Sequence, residues 1–244
     1  MSKVVVIGGG AAGMFASIAA AGCGHQVVVY EKNEKLGKKL FITGKGRCNI
    51  TNSCDEETFF QSVVSNPKFL YSAFYGYTNR DVIAFFESLG LAVKEERGGR
   101  IFPVSDHSSD VIKVLEQRMK ALDVKIHLKS RVEKVLTENS LEGEEKIRGV
   151  LLENGAEILA DRVIIATGGC SYQATGSTGD GYTFARETNH KVTELRPALV
   201  PIETKEEYVK DMQGLALKNV RFTVKDGKKV LYDDFGELLF THFG

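Results

Sequence analysis

Two stretches of this 244-residue chain hold residue types at spacings that could do chemistry. The first is Gly8-Gly9-Gly10-Ala11-Ala12-Gly13, which places glycines at the first, third and sixth positions of a six-residue turn. Glycines at 8 and 10 allow a tight turn and the close approach of a pyrophosphate, and Gly13 allows a following helix to pack on the preceding strand. Ala12 lies inside the same turn. The positive end of that helix and its free N–H groups would face the phosphates. Glu31 stands 23 residues after Gly8, where an acid accepts hydrogen bonds from ribose hydroxyls, with Lys32 beside it. The second stretch, GKKLFITGKGRCNITN at 37–52, has four basic residues, three glycines and no acid. A triphosphate loop does not fit it, because Gly37 and Gly44 are seven apart and Lys45 is followed by Gly46 instead of a hydroxyl. A nucleic acid fits poorly, since few aromatics are present for stacking. A phosphate-bearing cofactor, with Lys39 and its neighbours neutralising the phosphates, stands against a plain solvated basic loop.

These residues need particular elements to hold them. KVVVIGG reads as a strand buried on both faces, AAGMFASIAAAGCG as a helix ending at Gly22 and Gly24, and HQVVVYEKN as a second buried strand. Strand, helix and strand in that order make a right-handed parallel crossover, so the fold class is α/β and Rossmann-like. Thr78 and Asp81 predict a capping box for a helix through VIAFFESL, stopped by Gly90. SSDVIKVLEQRMKAL places Val111, Leu115, Met119 and Leu122 on one helical face, as core. From Val124 the period shifts towards two, through VKIHL, RVEKVLTEN, IRGVLLEN and AEILADRVIIATGG, with turns in NSLEGEEK and NGA. This predicts a three-stranded β-meander leading into an apolar strand at Val163–Ala166. GSTGDGYTFARETNHKV predicts a glycine-opened helix and a short strand. Composition changes near Arg196, and the remainder reads as antiparallel hairpins turning at Asp226-Gly227. The expected domains are 1–195, dinucleotide-binding, and 196–244, the start of a β-rich second domain.

Composition narrows the functional classes. Hydrophobic residues at 43% and charged residues at 26% describe a globular chain, not a disordered one. Thirty-two basic residues balance thirty-two acidic ones, so no global field favours nucleic acid or an anionic membrane. The four cysteines form no C-x-x-C pair and have no histidine at zinc-ligand spacing, so no metal is expected. Reduced thiols fit a cytoplasmic protein. Cys48 is singled out because Arg47 beside it would lower its pKa. The apolar N-terminus does not read as a signal peptide, since three consecutive glycines break it and another strand follows.

The order of turn fingerprint, meander and an apolar strand ending in Ala166-Thr167-Gly168-Gly169 resembles the two-dinucleotide-binding-fold flavoproteins. That resemblance implies FAD. It puts Glu31 on the adenosine ribose, the backbone of Val132 against the adenine, and Thr167, Gly168 and Gly169 close to the cofactor. It also runs the 37–52 stretch along the pyrophosphate, with Arg47, Asn49 or Thr51 donating to the flavin or ribityl chain and Cys48 close by. Donors at the pyrimidine edge of a flavin stabilise its anionic reduced form. Six ordered motifs, GKKLFITGKGRCNITN, GRIFPVSDHSSDV, IIATGGCSYQATGSTGDGYTFA, PALVPI, MQGLALKNV and GELLFTHFG, resemble the bacterial BaiN-type family of NAD(P)/FAD-dependent, aminoacetone-oxidase-like oxidoreductases. Thr178-Gly179-Asp180-Gly181 is also similar to a segment of fumarate-reductase flavoproteins. The resemblance implies an FAD-dependent oxidoreductase acting on a small metabolite, with a transiently bound nicotinamide, NAD(P)H, or oxygen as redox partner. Family members continue further and return to complete the FAD domain, so the chain is expected to be C-terminally truncated. The alternative from another class is a flavin-carrying binding or RNA-associated module without redox turnover. No catalytic residue is assigned; Tyr172, His107 and His190 stand out only by lying in or near the family motifs. Neither the substrate nor the oligomeric state is legible.

Overall fold

The computed structural model describes residues 1–139, 145–197 and 199–244. It divides into two compact units, Met1–Val192 and Thr193–Gly244.

In the first unit, β1 (Lys3–Ile7) carries four aliphatic residues, Val4 to Ile7, that bury both of its faces. Val4 and Val6 enter one core cluster and Val5 and Ile7 the other, which is why this strand shows no polar alternation. α1 (Ala11–Gly22) starts directly after its N-cap Gly10, and Gly24, at φ 83°, turns the chain into β2 (Gln26–Tyr30). β2 pairs parallel to β1 in register from Lys3–Gln26 to Ile7–Tyr30.

The basic stretch then forms α2 (Lys38–Ile42), a tight turn at Thr43–Gly46 and β3 (Thr51–Asn52). α3 (Glu56–Gln61) and α4 (Tyr71–Gly76) follow, then α5 (Asn79–Ser88). α5 carries the expected capping box: the Asp81 N–H donates to Thr78 Oγ1 at 3.2 Å and the Thr78 N–H to Asp81 Oδ2 at 2.7 Å. β4 (Val93–Glu96) and β5 (Arg100–Pro103) form a hairpin whose loop needs the left-handed backbone of Gly98 and Gly99. β3 adds to its far side, giving the order β3-β5-β4. Apolar–polar alternation does not disclose this small sheet, since β4 is mostly charged; the Gly-Gly pair between the two runs was the available signal.

α6 (Ser108–Ala121) buries Val111, Leu115 and Met119, with Leu122 partly buried beside them. β6 (Lys125–His127) does not join the meander but pairs parallel with β2. The meander consists of β7 (Val132–Asn139), β8 (Glu145–Leu152) and β9 (Glu157–Leu159). The expected turn between β7 and β8 falls largely on residues 140–144, outside the described residues. β10 (Arg162–Ile165) returns to the parallel sheet beside β1, giving the order β10-β1-β2-β6. α7 (Asp180–Glu187) opens on Gly179, as its glycines foretell. The short strand expected after α7 does not form, because residues 188–197 run alongside no strand edge.

In the second unit, α8 (Tyr208–Asp211) precedes a single hairpin of β11 (Ala216–Asp226) and β12 (Lys229–Leu239). Asp226 pairs with Lys229, so the turn falls at Gly227-Lys228, one residue later than expected. The left-handed backbone of Gly227 takes the first central position.

One core cluster packs α1, α5 and α6 against one face of the parallel sheet, and the other packs the meander and α7 against the opposite face. Leu115 sits in the first cluster at 1% exposure. Leu115→Ala is expected to cost about 2–5 kcal/mol through lost transfer energy and an unfilled cavity. Urea unfolding followed by circular dichroism measures this, and a loss near zero would mean that α6 is not packed on the sheet.

Candidate dinucleotide-binding site

The turn between β1 and α1 is built by backbone groups. The Gly8 N–H donates to the Tyr30 carbonyl at 2.9 Å, and the Gly37 N–H to the Gly9 carbonyl at 2.9 Å. A Cβ on Gly8 would lie 2.6 Å from the Ala166 carbonyl oxygen, and one on Gly13 would lie 1.8 Å from the Gly8 carbonyl oxygen. No side chain fits at either position without moving backbone. Gly10 differs: a Cβ there would meet nothing within 4 Å. The first helical bond runs from the Met14 N–H to the Gly10 carbonyl, and Gly10 offers no side-chain cap. The N–H groups of Ala11, Ala12 and Gly13 therefore have no carbonyl in the preceding turn and lie at the positive end of the helix.

This turn floors a groove of about 310 Å³, a size typical of small-molecule sites. Glu31–Asn33 and Gly37–Leu40 form one wall, Ala166–Gly168 and Thr175–Ser177 with Asp180 the other, and Ser130–Val132 line the groove beside Glu31, whose carbonyl accepts from the Ser130 N–H at 2.9 Å. Glu31 is buried at the end of β2, where Oε2 accepts from the Gly9 N–H at 2.6 Å. Its Oε1 accepts from the Asn33 N–H at 2.8 Å and from Asn33 Nδ2 at 2.7 Å. The carboxylate therefore fixes the turn to the wall. Thr167, which lines the groove, carries a buried hydroxyl with no hydrogen-bond partner among the described residues.

Of the residues singled out from the sequence, Gly8, Gly10, Ala12, Glu31, Lys32, Lys39, Val132, Thr167 and Gly168 line this groove. Gly13 lies beneath the turn, and Gly169 backs onto the Tyr182 hydroxyl. The 37–52 stretch divides. Lys39 reaches the groove wall, whereas Arg47 turns to the small sheet. There Arg47 donates to both Glu96 carboxylate oxygens at 2.7 and 3.1 Å and to Asp106 at 3.1 Å, with its guanidinium 4.1 Å above the Phe102 ring. Arg47 holds the Glu96 carboxyl below the usual carboxylate range, and Lys94 does the same for Asp106. Thr51 is paired in β3 with Ile101. Cys48 and Asn49 line a second, apolar cavity with Tyr77 and Phe86. Burial pushes the Cys48 thiol up, against a smaller downward pull from Thr43. The lowering expected from Arg47 is thus corrected, because that cation is committed to two carboxylates. Tyr172, His107 and His190 do not line the groove.

Asn33 and Asp180 line the groove without having been singled out as cofactor-binding from the sequence, and Thr178 stands beside Asp180. Lys32 Nζ donates to Thr178 Oγ1 at 2.7 Å and to Asp180 Oδ2 at 2.8 Å, and the Thr178 hydroxyl donates to Asp180 Oδ1 at 2.9 Å. Burial acts to raise the Asp180 carboxyl, but the bonds from Lys32 and Thr178 outweigh it and hold the group below its ordinary range. Asn33 Nδ2 reaches the Thr175 carbonyl at 3.1 Å, and Lys39 Nζ reaches the Ser171 carbonyl at 2.7 Å. These bonds join the two walls across more than 130 residues of sequence. The Thr178–Gly181 motif was the available signal, but nothing in its spacing points to Lys32.

Among the described residues, no group of three or more His, Cys, Asp or Glu side chains is placed to hold a metal ion. None of their helices is long and apolar enough to cross a membrane.

The family described as HI0933-like protein Rossmann domain matches residues 2–232. A 3-dehydro-bile acid delta(4,6)-reductase of Clostridium scindens is 35% identical over 246 residues, covering 100% of this chain and 58% of that protein. A ribosomal RNA dihydrouridine synthase of Haemophilus influenzae is 32% identical over 245 residues, covering 100% and 58%. The chain thus spans a little over half the length of these curated relatives. Among solved structures, the 3-ketosteroid-delta4-(5alpha)-dehydrogenase of Rhodococcus jostii superposes with a TM-score of 0.54 at 19% identity, covering 70% of this chain and 46% of that one.

Two outcomes are expected from the neighbourhood of the basic stretch. Cys48, buried and raised, should resist iodoacetamide at pH 8 while the exposed Cys23 and Cys170 react, as mass mapping of alkylated peptides will read. Rapid native labelling of Cys48 would contradict its burial. Glu96 and Asp106 have folded-state pKa values below their unfolded ones, so their contribution to stability is present above the unfolded carboxylate range, roughly pH 4. It is lost as pH falls through the lowered values. Arg47→Met should therefore lower the melting temperature at pH 7 and have less effect at pH 3; an equal effect at both would refute the charge pairing.

Proposed function

This chain belongs to the HI0933-like Rossmann-domain family, and from that premise we propose that it binds FAD in the β1–α1 groove and belongs to an FAD-dependent oxidoreductase acting on a small metabolite. One observation carries the reading: a glycine turn whose only open position, Gly10, faces a groove headed by unpaired helix N–H groups. When bound, FAD supplies two-electron chemistry. The N–H groups of Ala11 and Ala12 would receive the pyrophosphate, Lys39 would add positive charge beside it, and Glu31 would offer its remaining lone pairs to ribose hydroxyls. Val132, which lines the groove, would meet the adenine through its backbone, and Gly168 would admit the cofactor at close range. Arg47, Cys48, Asn49 and Thr51 would stand beyond the groove, towards the redox centre.

The substrate class draws on the two relatives. The names of both relatives, a 3-dehydro-bile acid delta(4,6)-reductase and a ribosomal RNA dihydrouridine synthase, describe reduction of a carbon–carbon double bond. Reduction of such a bond in a small molecule, with NAD(P)H as transient donor, is the reading proposed for the protein to which this chain belongs; oxygen is the other redox partner to test. The second relative, named for ribosomal RNA, favours one other reading, an RNA-associated protein. RNA binding that weakens steeply with salt, without flavin reduction by NADH or NADPH under anaerobic conditions, would select it. All four cysteines are free, which supports a reducing compartment such as the cytoplasm.

Two substitutions test the groove. Gly10→Val should leave the circular dichroism spectrum and melting unchanged, since its Cβ enters open space, yet abolish FAD retention. Flavin retained by a folded Gly10→Val protein would sink the assignment. Glu31→Ala should weaken FAD by roughly 1.5–3 kcal/mol, the scale of a charged hydrogen bond. Equilibrium dialysis giving an unchanged dissociation constant would remove Glu31 from the site.

A further inference from the structure

Resting on the reading that the groove takes an adenine dinucleotide, we propose that Asp180 sets which adenosine it accepts. By pairing with Lys32 it makes the ribose end select a free 2′-hydroxyl and reject a 2′-phosphate. The argument begins with charge. The groove's cations are Lys32, Lys38, Lys39 and Arg131; Lys39 is held by the neutral Ser171 carbonyl, and each of the other three faces an acid. Lys32 bonds Asp180 at 2.8 Å, Lys38 lies 3.3 Å from Glu34, and Arg131 lies 3.5 Å from Glu153. Glu31 forms no ion pair among the described residues, its partners being the neutral donors Gly9 and Asn33.

A ribose hydroxyl can donate to a carboxylate in such a place. A phosphate monoester cannot: it brings about two negative charges and only acceptors. The Lys32–Asp180 pair is the tightest of the three, with both side chains mostly buried and Thr178 bonding both partners, so water screens it least. Lys32 directly follows Glu31 and is the cation a 2′-phosphate would need. Asp180, at the start of α7, takes it out of reach. Cofactor choice at the end of β2 would therefore be set by a residue 148 positions later in the chain.

The test compares ADP-ribose with 2′-phospho-ADP-ribose, which differ only at that position, by isothermal titration of the chain. The wild type is expected to bind ADP-ribose at least about tenfold more tightly, and Asp180→Asn to narrow that preference by about tenfold, the scale of one charge-assisted bond. Adding Lys32→Met to Asp180→Asn should restore the original preference, an outcome that a merely structural role for Asp180 does not produce. Wild-type affinities within twofold of each other would overturn the proposal without any variant. So would a folded Asp180→Asn protein with an unmoved ratio; should that variant not fold, Asp180→Ser removes the same charge while keeping a hydroxyl at the helix start. If neither nucleotide binds, the dinucleotide reading itself falls and takes this inference with it.

Discussion

The contact between the Gly8 carbonyl and the Cα of residue 13 is the constraint on which the rest of the groove depends. A Cβ at residue 13 would sit 1.8 Å from that oxygen, so the first turn of α1 packs against the end of β1 as closely as two backbones can. That closeness aims the open N–H groups of α1 at the groove instead of at solvent. It also leaves Gly9 where its N–H meets the Glu31 carboxylate at 2.6 Å, fixing β1, α1 and the end of β2 together. The parallel sheet, buried on both faces, gives this junction a rigid base.

The groove is a seam between parts of the chain that fold far apart in sequence. One wall follows directly from the strand–helix–strand unit. The other comes from residues 166–180, which reach it only because the chain travels through the meander and returns as β10 beside β1. Lysine and asparagine side chains then draw that second wall onto the first: Lys32 to Asp180, Asn33 to Thr175 and Lys39 to Ser171. Gly176 lets the walls meet, since a Cβ there would lie 2.6 Å from Asn33 Nδ2.

Electrostatics decides how the basic stretch is used. Four cations lie within sixteen residues, but a cation acts on a ligand only if no carboxylate claims it first. Arg47 is claimed twice and stacked on Phe102, so it ties the stretch to the β4–β5 hairpin. Lys39 is held by a neutral carbonyl, a far weaker competitor for an arriving phosphate.

The sequence by itself determined the Rossmann-like unit, the capped helix α5, the buried face of α6, the meander and the groove floor from Gly8 to Gly13. Each rests on local rules: the period of apolar residues, a capping box, and glycines where backbones must touch. Glu31 was legible for the same reason, since a strand and helix of ordinary length fix its distance from the turn. The pairing of β6 with β2, the β3-β5-β4 sheet, the partners of Arg47 and the bond from Lys32 to Asp180 were decided only by tertiary structure. A charged residue finds its partner through space, and its spacing in the chain carries no record of which carboxylate will be nearest once the sheet has closed. Cys48 shows this most directly: its neighbour Arg47 predicts a lowered thiol, whereas burial, which depends on what packs around it, raises it.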